Sequence, residues 1–195
     1  MSAPTRTDRS NAVATVLKIV AFGAGGLLLL LLILVVVGSS QFDVTRGVPP
    51  EAAGLAIGKY APQIEAKAWI NGEPEPGYDS KITVVQGWFY DCPYCWQEAP
   101  ETAKLHDKFG DRVSFVALSP DPPSDAEKVQ EFVDKGGLKF PVGYGAINTL
   151  IGFEAQSFPV LWVVGTDGKV VWNRTLEGKQ SLEEAIEAAL KAPKA

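Results

Sequence analysis

Residues 81–100 read KITVVQGWFYDCPYCWQEAP. The segment changes character halfway along. Ile82, Val84 and Val85 form the apolar, β-rich heart of a buried strand, and from the cysteines to about Phe109 the pattern becomes helical. Cys92 and Cys95 are the only two cysteines among 195 residues, and they stand at the junction of the two elements. A helix N-terminus offers free N–H groups and partial positive charge, which stabilise a thiolate and make it the better nucleophile. Pro93 suits the first helical position because it has no N–H to lose. Cys95 falls one turn along on the same side, where it can attack a mixed disulfide on Cys92 and release the product. The spacing therefore predicts thiol–disulfide exchange, with one cysteine attacking and the other resolving.

Three other readings compete with exchange. A purely structural disulfide across so short a loop restrains little unfolded-chain entropy. A zinc site needs about four ligands, and the chain supplies two cysteines and one histidine. Two buried cysteines can also share this spacing by chance; the place between strand and helix is what favours redox chemistry.

Downstream, RVSFVAL (112–118) reads as a second strand, and SDAEKVQEFVDKGG (124–137) as a helix opened by a Ser124–Glu127 capping box. Its apolar positions Ala126, Val129, Phe132 and Val133 share one face. A short helix is expected over 146–153. PVLWVVGTDGKVVWN (159–173) reads as a hairpin about Asp167-Gly168, and SLEEAIEAALKA (181–192) as a last helix with its own capping box, Ser181 to Glu184. Strands alternating with helices, followed by a hairpin, predict a mixed central sheet with helices on both faces.

Upstream, residues 19–37 read IVAFGAGGLLLLLLILVVV without a charge. Roughly 20 apolar residues span a bilayer as a helix. Arg6, Arg9 and Lys18 precede the run and only Arg46 follows closely, which predicts a cytoplasmic N-terminus. A cleaved signal peptide has an apolar region of only ~7–15 residues and an Ala-x-Ala-like site, and VVVGSSQ (35–41) is a poor one. The expected organisation is a cytoplasmic segment 1–18, an anchor 19–37, a linker 38–50 and a globular domain 51–195. Fully extended, the linker reaches about 40 Å at ~3.3 Å per residue, which keeps the domain close to the membrane. The net charge of −5 offers no basic stripe for nucleic acid.

From about residue 58 to 178 the chain resembles membrane-anchored thioredoxin-like proteins of the TlpA/ResA type, within the redoxin group. The matching pieces are IGKYAPQIEAKAWINGE (57–73), CPYCWQEAP (92–100), VSFVALSPD (113–121), FPVGYG (140–145) and FPVLWVVGTDGKVVW (158–172). The resemblance implies a thioredoxin-like domain, with Cys92 as nucleophile, Cys95 as resolver, Glu98 as the acidic group beside them and Pro159 as a cis proline facing the dithiol. It further implies no cofactor and no metal, and an inner-membrane anchor with the domain in the periplasm. Disulfide-bearing exported proteins, apocytochrome c among them, would be the substrates, and a membrane thiol donor the source of electrons. Rival functions are peroxide reduction, although the Pro-x-x-x-Thr-x-x-Cys surround of a peroxidatic cysteine is missing, and a redox-inactive binding or metal-chaperone module.

The chain also departs from thioredoxins. Asp91 stands where they carry Trp before the first cysteine, and its charge opposes thiolate formation. Gln86 stands where many carry a buried Asp and cannot act as a base, which leaves Glu98 to manage the resolving thiol's proton. Trp88 is expected in the core beside the site, Pro100 at a kink and His106 on a solvated helix face.

Overall fold

The apolar run after Lys81 becomes the central strand of a six-stranded sheet. The computed structural model describes residues 54–176 and 180–192. In chain order the elements are β1 (Ala68–Ile70), β2 (Ile82–Gly87), α1 (Pro93–Phe109), β3 (Val113–Ser119), α2 (Ala126–Gly136), β4 (Val142–Tyr144), α3 (Ile147–Gly152), β5 (Val160–Val164), β6 (Val170–Asn173) and α4 (Leu182–Lys191). The segment 1–18, the anchor 19–37 and the linker 38–50 expected from sequence lie outside the described residues. Among the described residues no helix is long and apolar enough to cross a membrane.

The strands lie in the order β1-β4-β3-β2-β5-β6. β2 is parallel to β3, and β3 to β4, while β5, β6 and β1 join antiparallel. Every residue of β2 is buried, as a strand with neighbours on both sides and helices on both faces requires. Its side chains alternate between two cores. Val84 packs with Ala99 of α1, Phe132 of α2 and Ile186 of α4, whereas Val85 packs with Leu150 of α3, Trp162 and Leu55. The expected mixed sheet with helices on both faces is therefore present.

Two strands were not foreseen, and two local expectations need correction. β1 and β4, three residues each, carry too short a pattern to stand out in the sequence, and they pair antiparallel with one another. Ser124 does not cap α2. It lies in a 3₁₀ turn, Pro123–Asp125, set by the fixed φ of the preceding prolines, and the cap is Asp125 without a side-chain hydrogen bond. The hairpin turns over five residues rather than two. Gly165 N–H bonds to Lys169 O at 2.8 Å, and Gly168 takes the positive φ of 76° that a turn there demands. The Ser181–Glu184 capping box of α4 forms as read, with both reciprocal bonds made.

Candidate active site

The two cysteines meet at the start of α1. Cys92 is the N-cap, in an extended conformation, and it is joined to Cys95 by a disulfide with their Cα atoms 5.2 Å apart. Cys92 Sγ accepts the Cys95 N–H at 3.2 Å, and Cys92 O accepts the same N–H at 3.0 Å. One of the first N–H groups of the helix thus points at the sulfur that the spacing makes the nucleophile. Cys92 is 3% exposed and Cys95 0%, beneath the exposed Pro93 and Tyr94. An incoming group can reach Cys92 alone.

One flank of the dithiol is built from rings and from hydrogen bonds with neutral donors. Trp88 is fully buried and stacks on Phe132 with centroids 3.6 Å apart. Tyr90 N–H donates to Asp121 Oδ2 at 2.9 Å, and the same oxygen accepts Ser119 Oγ–H at 2.5 Å. Trp96 Nε1–H donates to Tyr90 O at 2.8 Å, closing the loop back onto α1. The Tyr90 hydroxyl donates to Glu131 Oε2 at 2.6 Å. That bond pushes the Tyr90 phenol up, while the Lys135 ammonium and the Tyr90 hydroxyl together hold the Glu131 carboxyl below its usual range. The sequence reading assigned no role to Asp121. Its available signal was a carboxylate two residues past the last polar position of a buried strand, Ser119-Pro120-Asp121.

Pro159 reaches the same end of the sheet by strand register. Val160 pairs with Gly87, the last residue of β2, so the residue before it lies beyond that strand's end, where the loop to Cys92 begins. The Phe158–Pro159 peptide is cis. Phe158 meets Phe89 edge to face with ring centroids 5.4 Å apart. Gly87 is needed for this approach, because a Cβ there would lie 2.6 Å from Val160 Cγ2 and 3.2 Å from Phe158 Cε1.

The other flank carries charge. Glu98 lies three residues past Cys95 on α1, and its side chain is only 16% exposed. It forms an ion pair with Arg174, which directly follows β6 and was not foreseen. Glu98 brings negative charge close to the cysteines, and the guanidinium offsets it. Asp91 is exposed.

Gln86 is fully buried, and neither polar atom of its amide has a hydrogen-bond partner among the described residues. His106 is half-buried rather than fully solvated. Its ring packs edge to face on Phe115 with centroids 5.4 Å apart and also meets Phe140. α1 continues past Pro100 to Phe109. Among the described residues, no three His, Cys, Asp or Glu side chains gather as a metal site.

Comparison with known proteins gives concordant findings. The family described as Redoxin matches residues 75–190. The chain is 29% identical over 157 residues to the thiol-disulfide oxidoreductase ResA of Bacillus thuringiensis, covering 79% of this chain and 88% of that protein. It is 39% identical over 70 residues to protein FixW of Rhizobium leguminosarum, covering 35% of this chain and only 32% of FixW. Among solved structures, a putative protein disulfide isomerase from Bacteroides thetaiotaomicron superposes with a TM-score of 0.60 at 21% identity. That match covers 72% of this chain and 95% of the other. The superposition speaks for the thioredoxin-like fold.

Proposed function

The chain belongs to the Redoxin family, and from that premise we propose that it is a thiol–disulfide oxidoreductase that reduces disulfides of exported proteins. The observation that carries this reading is the asymmetry of the dithiol. Cys92 is the helix cap and receives a backbone N–H, whereas Cys95 is sealed beneath it. In the reduced protein the Cys92 thiolate attacks one sulfur of a substrate disulfide. A Cys92–substrate bond forms, and the other substrate sulfur leaves as a thiolate that takes up a proton. Cys95 then loses its proton and attacks Cys92. The Cys92–Cys95 bond forms, the mixed disulfide breaks, and two electrons have passed to the substrate.

The direction of exchange follows from the charge around the site. No cation lies between the cysteines, Asp91 adds negative charge beside Cys92, and Arg174 cancels that of Glu98. The Cys92 thiolate is stabilised by the helix end alone, so the potential lies nearer the thioredoxin end of the scale, about −270 mV, than the strong-oxidant end, about −120 mV. Equilibration with defined thiol buffers measures it; a value near the oxidant end overturns the reductase reading.

The resemblance to ResA and the apolar run 19–37 support a membrane anchor with the domain on the periplasmic side, supplied by a membrane thiol donor and serving apocytochrome c among its substrates. A reporter active only outside the cytoplasm, fused after Ala195, is expected to be active, with the protein kept in the membrane through high-salt washing. Release of a soluble form would refute the anchor. Insulin reduction by the reduced protein tests the activity itself; peroxide consumption in its place would favour the rival reading.

A further inference from the structure

Resolution asks something of Cys95 that its burial makes difficult. The thiol must give up a proton, yet Cys95 has no exposed surface. Cys92 is occupied by the substrate at that moment. The Gln86 amide carries no titratable proton, and His106 lies eleven residues further along α1. Glu98 is the carboxylate on the next turn of the same helix, and positions three apart are neighbours on a helix surface. Its side chain lines a groove of about 600 Å³ between α1, β6 and the start of α4, which opens to solvent.

The charges facing this groove sort into pairs. Glu101 pairs with Lys104 at 2.8 Å along α1, and Lys108 pairs with Glu183 of α4. Arg174, just past β6, is the partner of Glu98. Its position is fixed by backbone, since Arg174 N–H donates to Leu161 O at 3.1 Å and Leu161 stands opposite Gln86 in register. Trp172, buried, lines the groove beside it.

We infer that Arg174 is a positioning residue for the resolving step: it holds the Glu98 carboxylate beside Cys95 with its charge offset, so that Glu98 takes the Cys95 proton and passes it to the groove. This rests on the exchange reading above. The Cys95 S–H bond breaks and its proton goes to a Glu98 oxygen. The sulfur's electron pair forms the bond to Cys92, and the substrate sulfur leaves with the pair of the broken mixed disulfide. Without the guanidinium, the carboxylate is free to turn into the groove, away from Cys95, and the thiol loses the acceptor for its proton.

The test follows the decay of the Cys92–glutathione adduct. Reduced full-length chain is mixed with glutathione disulfide, quenched with acid at intervals, and read by mass across a pH series. Arg174→Gln is expected to resolve roughly tenfold more slowly at neutral pH, the size of a coupling between directly paired groups, with its profile displaced to higher pH. Arg174→Lys, which keeps the charge, should recover most of the rate. In a Glu98→Gln background, Arg174→Gln should change nothing further. A wild-type rate and profile in Arg174→Gln, or an equal slowing in both backgrounds, overturns the inference and makes Arg174 a packing residue. A wild-type chain that forms no adduct and reduces no glutathione disulfide to thiol defeats the exchange reading instead, so the two failures are distinct.

Discussion

The two flanks of the dithiol hold it by different physics. On the side of α2, Asp121 gathers Tyr90 N–H and Ser119 Oγ–H on one oxygen, Trp96 closes onto Tyr90 O, and Trp88 stacks on Phe132. These contacts are hydrogen bonds from neutral donors or ring faces. On the side of β6 the contact is one ion pair, Glu98 with Arg174, over an open groove. The first flank fixes where the sulfurs are. The second leaves the backbone alone and acts on where protons go. Mutations on the two flanks should therefore fail differently, one in stability at every pH and the other in the pH dependence of exchange.

The largest effect belongs to the centre that both flanks serve. Cys92→Ser should lower exchange by on the order of 10³-fold or more, as expected for loss of a nucleophile. Cys95→Ser should still attack, so covalent adducts with partner proteins accumulate. Adducts held preferentially by Cys92→Ser would reverse the assignment and leave the flanks serving the wrong sulfurs. Next comes the hydrogen-bonded flank. Asp121→Ala strips the partner from Tyr90 N–H and Ser119 Oγ–H, and each lost partner in a buried site costs about 1–3 kcal/mol. The urea midpoint should fall at all pH values, while the pH profile of adduct resolution keeps its shape. A displaced profile with unchanged stability would erase the distinction between the flanks.

The charged flank should show the opposite signature. Glu98→Gln leaves Arg174 44% exposed and able to meet water, so its loss of stability should stay under about 1 kcal/mol. The pH dependence of resolution by Cys95 should change markedly. An unaltered profile would return Glu98 to the status of a surface residue and remove the chemical reason for the groove.

What was legible in the sequence follows the same division. Elements marked by a strong local pattern were readable: the apolar run of β2, the Cys-Pro start of α1, the Ser181 capping box. The cysteines announced their chemistry because their junction and spacing are local facts. Arg174 was not readable. It sits 76 positions beyond Glu98, and only the antiparallel addition of β6 beside β5 brings it under α1. Asp121 was hidden for a similar reason, since its partner Tyr90 lies across the parallel pairing of β2 with β3. β1 and β4 were missed because three residues show no period; their pairing is imposed by the sheet already formed. The α2 cap was misread because two prolines fixed a turn that the Ser-x-x-Glu pattern could not anticipate.

The same limit explains His106, whose helix face looked solvated because its ring partners come from elsewhere in the chain. Phe115 on β3 and Phe140 before β4 close over the imidazole, and its Nδ1 is buried without a hydrogen-bond partner among the described residues. Burial pushes the His106 pKa below the ordinary 6.5; the neighbouring Asp107 carboxylate opposes that shift and the Lys139 ammonium adds to it. The unfolded chain then binds this proton more readily than the folded one. The stability it contributes is complete above about 6.5 and is lost as pH falls from there toward the lowered folded value. The acidic groups with depressed values, Glu131, Asp167 and Glu184, lose their contributions only within and below the ordinary carboxylate range, so the window just below the ordinary histidine value is where His106 acts. In urea denaturation across that window, wild type should weaken with falling pH and His106→Gln should weaken less. The ring is only partly enclosed, so this is the smallest effect predicted here. It is also independent of both flanks: resolution of the glutathione adduct by His106→Gln should keep the wild-type profile. A displaced profile would mean that a third group reaches Cys95, and the pairing of Glu98 with Arg174 would no longer account for the proton alone.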